Sequence, residues 1–281
     1  MADTKYIELN CKVNPLIPGR DILTALLAEE GFESFVETAT GLQAFIPEPD
    51  LNREEVSKVI ADSPEGIDWE AEYIEHPIVN YNAQWESNFE QVKVGKDLLI
   101  RAPFHSEDSS FAQQIIVSPK MAFGTGHHET TWLIARDMLN FDFSAKRVLD
   151  MGCGTGVLAI LAAKLGSTDV VAIDIDPWST ENTEENLSLN STQHVEVRLG
   201  DASAIGNDRF DSILANINRN ILTNDMGAYA DALNPMGMIW FSGFFKPDAE
   251  IVQACAEEHG LEIQEVFTKG DWAMIRAVMR V

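Results

Sequence analysis

Apolar and polar positions alternate along residues 6–13, the period of a half-buried strand. The period then lengthens. Ile22, Leu23, Leu26 and Leu27 recur at the spacing of one helix face, between an opening Pro18-Gly19-Arg20-Asp21 and a closing Gly31. Residues 32–38 and 42–46 return to strand patterning on either side of Ala39-Thr40-Gly41, which reads as a hairpin. Asn52 followed by Glu55 is a capping-box signature for a second helix, with Val56, Val59 and Ile60 on its apolar side. Residues 68–74 close the series as a strand. The order βαββαβ predicts a small ferredoxin-like α+β unit over residues 1–75.

Residues 76–118 read as a linker and connecting region. His76-Pro77 marks a break, residues 80–89 suggest a short helix carrying Trp85 and Phe89, and residues 98–102 and 114–117 look like short strands. From about residue 128, strands and helices alternate at short spacing. The strands are predicted at 147–150, 170–174, 195–199, 212–215, 238–241 and 261–268, and the helices at 129–140, 157–165, 177–189, 218–233 and 247–259. This alternation predicts a doubly wound, mostly parallel α/β sheet over residues 119–281, with helices on both faces. Residues 271–281 alternate again and suggest an antiparallel strand at the sheet edge.

Charge narrows the functions available. The chain carries 45 acidic and 20 basic side chains, a net of −25. A large nucleic-acid footprint needs a Lys/Arg surface, so direct nucleic-acid binding is disfavoured. Residues 1–75 hold 17 acids and 5 bases, a net of −12, and are about two and a half times as acidic per residue as the remainder. Such a surface serves solubility or attracts a basic partner. No apolar run approaches the ~18 residues of a membrane span, and the N-terminal residues lack a secretory pattern. Cys11, Cys153 and Cys255 form no CxxC pair or metal-ligand spacing, which suits a reducing compartment. A cytoplasmic monomer is expected.

The strongest chemical signal is the run Val-Leu-Asp-Met-Gly-Cys-Gly-Thr-Gly at residues 148–156. A buried strand ends at Asp150. Gly152, Gly154 and Gly156 follow at alternate positions, and a helix begins at Val157. Glycines let the backbone turn and let a ligand approach without a Cβ in the way. The loop falls at the carboxyl end of a strand, where open α/β sheets bind ligands. A dinucleotide fingerprint would place a third glycine at Val157, and an acid precedes the glycines here. Both features fit a methionine-type ligand better than a pyrophosphate: Asp150 would attract an ammonium, through water, and the glycine amides would meet a carboxylate.

Four further signals surround the loop. Asp174 ends the next strand, 24 residues after Asp150, and can accept both ribose hydroxyls. Asp176-Pro177 reads as the N-cap and first residue of the following helix. Asp201 follows the third strand and is either an adenine amino acceptor or an ordinary loop Asp. Asn216, at the end of the fourth strand, could orient an amine through its side-chain carbonyl, while Asn218 suits a helix cap. The segment Ser-Pro-Lys-Met-Ala-Phe-Gly-Thr-Gly-His-His-Glu-Thr-Thr at 118–131 combines a glycine turn with a helix start. Its neighbours His127 and His128 lack a third ligand at a recognisable spacing, so no metal is expected.

These residues resemble the PrmA family, the bacterial methyltransferases of ribosomal protein eleven of the large subunit. The likeness rests on Ala-Phe-Gly-Thr-Gly-His-His-Glu-Thr-Thr at 122–131, similar to the family's AFGTGxHxTT. It is joined by the glycine run at 150–156, Ile-Asp-Ile-Asp-Pro at 173–177 and Ala-Asn-Ile at 215–217. The resemblance implies a class I, Rossmann-like methyltransferase domain using S-adenosylmethionine. Cofactor contacts are implied for Thr131, Gly152, Asp174 and Asn216, and the residue reading adds Asp150, Gly154 and Asp201. Asn216 is the expected catalytic residue. The implied products are methylated lysine side chains and a methylated N-terminal α-amine on a basic ribosomal protein, gripped by the acidic N-terminal domain. Methylation of another protein or of a small molecule is the alternative.

Overall fold

The structure, a computed structural model, describes residues 5–62, 64–75, 89–118 and 126–280. The chain divides into two compact units, Met1–Phe89 and Glu90–Val281. Among the described residues no helix is long and apolar enough to cross a membrane.

The first unit runs β1 (Tyr6–Asn14), α1 (Leu16–Glu29), β2 (Ser34–Thr38), β3 (Gly41–Pro47), α2 (Arg53–Ala61) and β4 (Asp68–Glu75). Its sheet has the order β2-β3-β1-β4, and every neighbouring pair is antiparallel. This is the ferredoxin-like arrangement that the βαββαβ order predicts. Alternate residues of β1 (Ile7, Leu9, Cys11 and Val13) share a core with Leu23 and Leu27 of α1 and Val56 of α2. Asn52 caps α2 by accepting from the Glu54 and Glu55 amides at 3.2 and 3.4 Å. The Glu55 carboxylate accepts from Lys58 at 2.6 Å.

The second unit begins earlier than the sequence reading placed it. β5 (Val92–Val94), β6 (Leu98–Arg101) and β7 (Gln113–Ile116) form a three-stranded sheet within it. Residues 90–118 are thus part of the larger unit and not a connector. β5 has only three residues, too few to express a period. The helix expected over 80–89 lies, Phe89 apart, outside the described residues.

The large sheet is built from β8 (Arg147–Met151), β9 (Asp169–Asp174), β10 (Glu196–Leu199), β11 (Phe210–Asn216), β12 (Leu233–Phe245), β13 (Leu261–Lys269) and β14 (Trp272–Met279), in the order β10-β9-β8-β11-β12-β14-β13. β10 to β12 pair in parallel, and β14 runs antiparallel to β12 and β13. The last strand is therefore antiparallel as expected, but it lies inside the sheet, and β13 forms the edge. Helices α3 (Glu129–Met138), α4 (Val157–Lys164), α5 (Pro177–Leu189), α6 (Arg219–Ala232) and α7 (Ala249–Glu258) cover the faces. Side chains of successive strand residues go to opposite faces: Val148 joins Leu133 and Leu158 in one core, while Leu149 and Met151 join Leu222, Met226 and Val252 in the other.

One polar cluster crosses this apolar packing. Asp137 of α3 accepts from Trp240 Nε1 of β12 at 2.7 Å and from Arg276 Nη1 of β14 at 2.6 and 2.8 Å. The Arg276 guanidinium also lies 4.9 Å from the centre of the Phe141 ring. The cluster fixes α3 against the two strands that pair antiparallel. Removing one member of a buried ion pair strands the other, at a typical cost of about 3–5 kcal/mol. Asp137→Ala should lose stability of that order in urea unfolding, and the double variant Asp137→Leu with Arg276→Met should recover only part of it, because the buried Trp240 Nε1 still lacks its acceptor. A single variant within about 1 kcal/mol of the parent would show that the cluster contributes little.

Candidate active site

Strand order reverses beside β8, with β9 on one flank and β11 on the other. Connections leaving the carboxyl ends of such strands diverge and open a crevice. A cavity of about 410 Å³ opens there, and its walls include Thr131, Asp150, Gly152, Gly154, Asp174, Asp201 and Asn216. All seven residues singled out from the sequence meet at one place.

The glycine run turns sharply out of β8. Gly152 and Gly156 have φ of +71° and +75°, the left-handed region that residues with a Cβ avoid. A Cβ would also collide at both positions. At Gly152 it would lie 2.9 Å from Ile217, and at Gly156 2.8 Å from Thr183 of α5. Gly156 thus makes room for a helix, where the sequence reading had supposed a ligand. The amides differ from expectation too. Gly152 donates to Ile173 O at 2.8 Å, Gly154 to Asp174 Oδ2 at 2.9 Å, and Gly156 to Cys153 O at 2.8 Å. These three amides stabilise the turn itself, and so the expectation that they meet a ligand carboxylate is corrected.

Asp150 is buried to 1% exposure and its Oδ2 accepts from the Ala159 amide in the first turn of α4 at 2.9 Å. Burial pushes its carboxyl up to about 7, against the Ala159 hydrogen bond, and the charge of Asp174 adds to the rise. Asp174 accepts through Oδ2 from Gly154 and through Oδ1 from the Asp176 amide at 3.0 Å. Each oxygen keeps a lone pair for a further donor. Asp176 caps α5 by accepting from the Trp178 amide at 3.1 Å. Asp201 caps a short 3₁₀ turn, accepting from the amide and hydroxyl of Ser203 at 2.9 and 2.6 Å. Those bonds hold its carboxyl below the usual range. Both sequence readings of Asp201 therefore apply in part: it is a loop cap, and it lines the cavity.

Asn216 Nδ2 donates to Thr131 Oγ1 at 3.1 Å, joining positions 85 residues apart. Its Oδ1 is buried and has no partner among the described residues. Asn218 caps α6 through the Ile221 amide at 3.2 Å, as its sequence position suggested. His128 caps α3, with Nδ1 2.8 Å from Thr130 Oγ1, and His127 Nε2 lies 2.9 Å from Glu90 O.

Several walls carry no local signal in the sequence. His128, Ile217, Ile221, Asp225, Gly243 and Trp272 also line the cavity. Trp272 packs edge-on against His128, with ring centres 4.4 Å apart, and stacks on Phe245 at 4.2 Å. It reaches this rim because β14 runs antiparallel, which brings its first residue beside the carboxyl end of β12. Four of the described lining residues are aspartates (150, 174, 201 and 225), and none is Lys or Arg. Such a wall favours a cationic ligand and disfavours a pyrophosphate.

A family model described as ribosomal protein L11 methyltransferase (PrmA) matches residues 24–280. The chain belongs to this family. A relative named ribosomal protein L11 methyltransferase from Porphyromonas gingivalis is 46% identical over 91% of this chain and 89% of its own. One of the same name from Phocaeicola vulgatus is 40% identical over 98% of this chain and 100% of its own. The crystal structure of a ribosomal protein L11 methylase from Lactobacillus delbrueckii subsp. bulgaricus matches with a TM-score of 0.64 at 27% identity, covering 69% of this chain and 100% of that one. The large sheet is accordingly the class I S-adenosylmethionine-dependent fold.

In this member of the PrmA family the buried Asp150 sets a pH dependence of stability. Unfolded, the carboxyl titrates near 3.8; folded, near 7. The native state holds the extra proton between those values, so the contribution is present below about pH 4 and lost as pH rises through about 7. Asp150→Asn keeps an acceptor for Ala159 but cannot ionise. Its thermal midpoint, without cofactor, should exceed the parent's by a gap that opens between about pH 4 and 7 and levels off above, worth up to about 4 kcal/mol at ~1.36 kcal/mol per pKa unit. A gap that does not change with pH would contradict the assignment.

Proposed function

We propose that the cavity holds S-adenosylmethionine and that the chain methylates lysine side-chain amines, and the N-terminal α-amine, of ribosomal protein L11. The single observation that carries the site is the lining, among the described residues, of four aspartates without a Lys or Arg, next to a buried Asn216 Oδ1 that has no partner among them. A ligand with an ammonium and a sulfonium fits that lining, and a dinucleotide with two phosphates does not.

Bound there, S-adenosylmethionine supplies an activated methyl group. Asp174 would hold the two ribose hydroxyls, since both of its oxygens face the turn and retain acceptor capacity. Asp150 would stabilise the ammonium of the methionine end, and Asp201 the adenine amino group. Thr131 fixes the rotamer of Asn216 through their mutual hydrogen bond. That leaves Asn216 Oδ1 to accept an N–H of the incoming amine and aim its lone pair.

A free lysine has a pKa of ~10.4 and must arrive neutral to act as a nucleophile. Removing it from water favours the neutral form, so the residues serve mainly to desolvate and align, and alignment alone can supply many powers of ten in rate. No residue is required as an obligatory general base. Residues 1–75, with a net charge of −12, would recognise the basic ribosomal protein, and no nucleic-acid contact is required.

Two measurements test this reading. Asp174→Ala should weaken S-adenosylmethionine binding by about 100-fold in calorimetry, the equivalent of ~2.7 kcal/mol; unchanged affinity would refute the ribose assignment. Asn216→Ala should lower kcat for radiolabelled methyl transfer to ribosomal protein L11 by about 100-fold, the size of losing one aligned polar group. A kcat within about twofold of the parent would remove Asn216 from the reaction.

A further inference from the structure

Helix α5 turns a polar face inward. Thr183 and Asn186 are fully buried, and Asn190, its C-cap, is nearly so. A buried hydroxyl or amide is destabilising unless bonded, so the partners of these groups reveal what the face does. Thr183 Oγ1 donates to Gly154 O at 2.9 Å, and Asn186 Nδ2 donates to Thr155 O at 2.9 Å. On its other side Asn186 Oδ1 accepts from the Ser118 amide at 2.8 Å, just beyond β7. Asn190 makes two bonds with Ile116 of β7, at 2.9 and 2.6 Å.

Neither Thr183 nor Asn186 reaches the cavity. Its loop wall is Gly152, Cys153 and Gly154, and the two side chains stand behind it. The absence of a Cβ at Gly156 is what lets Thr183 come so close. A peptide unit is planar and trans, so holding its carbonyl toward α5 turns its N–H the opposite way. Two donors on one helix face therefore set the orientation of successive peptide units in the glycine turn.

We propose that Thr183 and Asn186 are positioning residues for the cofactor. They hold the Gly154 and Thr155 carbonyls against α5, and so keep the Gly152–Gly154 wall in its binding shape. Asn186 also joins that turn to Ser118, so the three-stranded sheet and the cofactor loop share one anchor. The inference rests on reading the cavity as the S-adenosylmethionine site, and it concerns residues that contact neither substrate nor cofactor.

The test compares isosteric losses. Thr183→Val removes the donor at constant shape, and Thr183→Ser keeps it. Asn186→Asp keeps the acceptor for Ser118 and removes the donor to Thr155. Asn190→Leu is the packing control, because it removes three hydrogen bonds, two with Ile116 and one to the Asn186 carbonyl, none of which touches the loop. Affinity for S-adenosylmethionine is read by calorimetry, and its KM and kcat by methyl transfer to ribosomal protein L11, with Asp174→Ala measured alongside.

Thr183→Val and Asn186→Asp should each raise the Kd and KM for S-adenosylmethionine about tenfold or more, with kcat at saturation within about threefold of the parent. Thr183→Ser should stay within about twofold in both, and Asn190→Leu should melt lower yet bind within about twofold. If Asp174→Ala loses affinity while Thr183→Val and Asn186→Asp bind like the parent, the positioning role is overturned and the site stands. If Asn190→Leu weakens binding as much as Asn186→Asp, the effect is general packing and the proposal also falls. If Asp174→Ala binds like the parent, the site reading itself has failed. Should Asn186→Asp not fold, the contrast between Thr183→Val and Thr183→Ser decides alone.

Discussion

β8 and β11 lie side by side and run the same way, but their connections leave to opposite flanks, toward β9 and β12. The space between those departures is what every site residue faces. Thr131 arrives from α3, Asp174 from β9, Asp201 from beyond β10, Asn216 from β11 and Trp272 from β14. None of these elements could present its side chain to the others without the reversal of strand order at β8. The two apolar cores on the faces of the sheet keep that reversal rigid.

The crevice gathers four aspartates, with no Lys or Arg among its described lining residues. Asp150 is buried beside Asp174 and keeps its proton up to near neutral pH, because the Ala159 amide compensates only part of the burial. Groups held in such surroundings mark functional sites when they line a cleft. Here the surroundings also choose the ligand's sign. A cation relieves the clustered carboxylates, and an anion would add to their repulsion. Asn216 Oδ1 is a second unfavourable group in the crevice, a buried acceptor without a donor among the described residues.

Much of the fold was legible because its elements follow simple periods. The βαββαβ order of the first unit and the alternation of the second appear in the chain as changes of hydrophobic spacing. Caps were legible for the same local reason, as Asn52, Asp176 and Asn218 each sit where a helix leaves its first amides unpaired. The reading fell short where a neighbour far along the chain decided the outcome. β5 is too short to show a period. β14 shows one, but its place between β12 and β13 depends on pairing partners and not on its own pattern. The glycines are visible in the chain, but what they make room for is not: Gly156 admits Thr183, 27 positions away in the chain.

The sequence by itself determined which residue types stand at the ends of strands: a turn of glycines after Asp150, an acid at 174, an amide at 216. Such signals are local, since strand ends, caps and tight turns are settled by a few neighbouring dihedral angles. Tertiary structure alone decided that Thr131 fixes Asn216, that the glycine amides are occupied within the turn, that Trp272 closes the rim, and that α5 holds the loop from behind. Apart from the bond between Gly156 and Cys153, each of these is a contact between segments about twenty or more residues apart, and its geometry follows from how helices and strands pack, which no local pattern encodes.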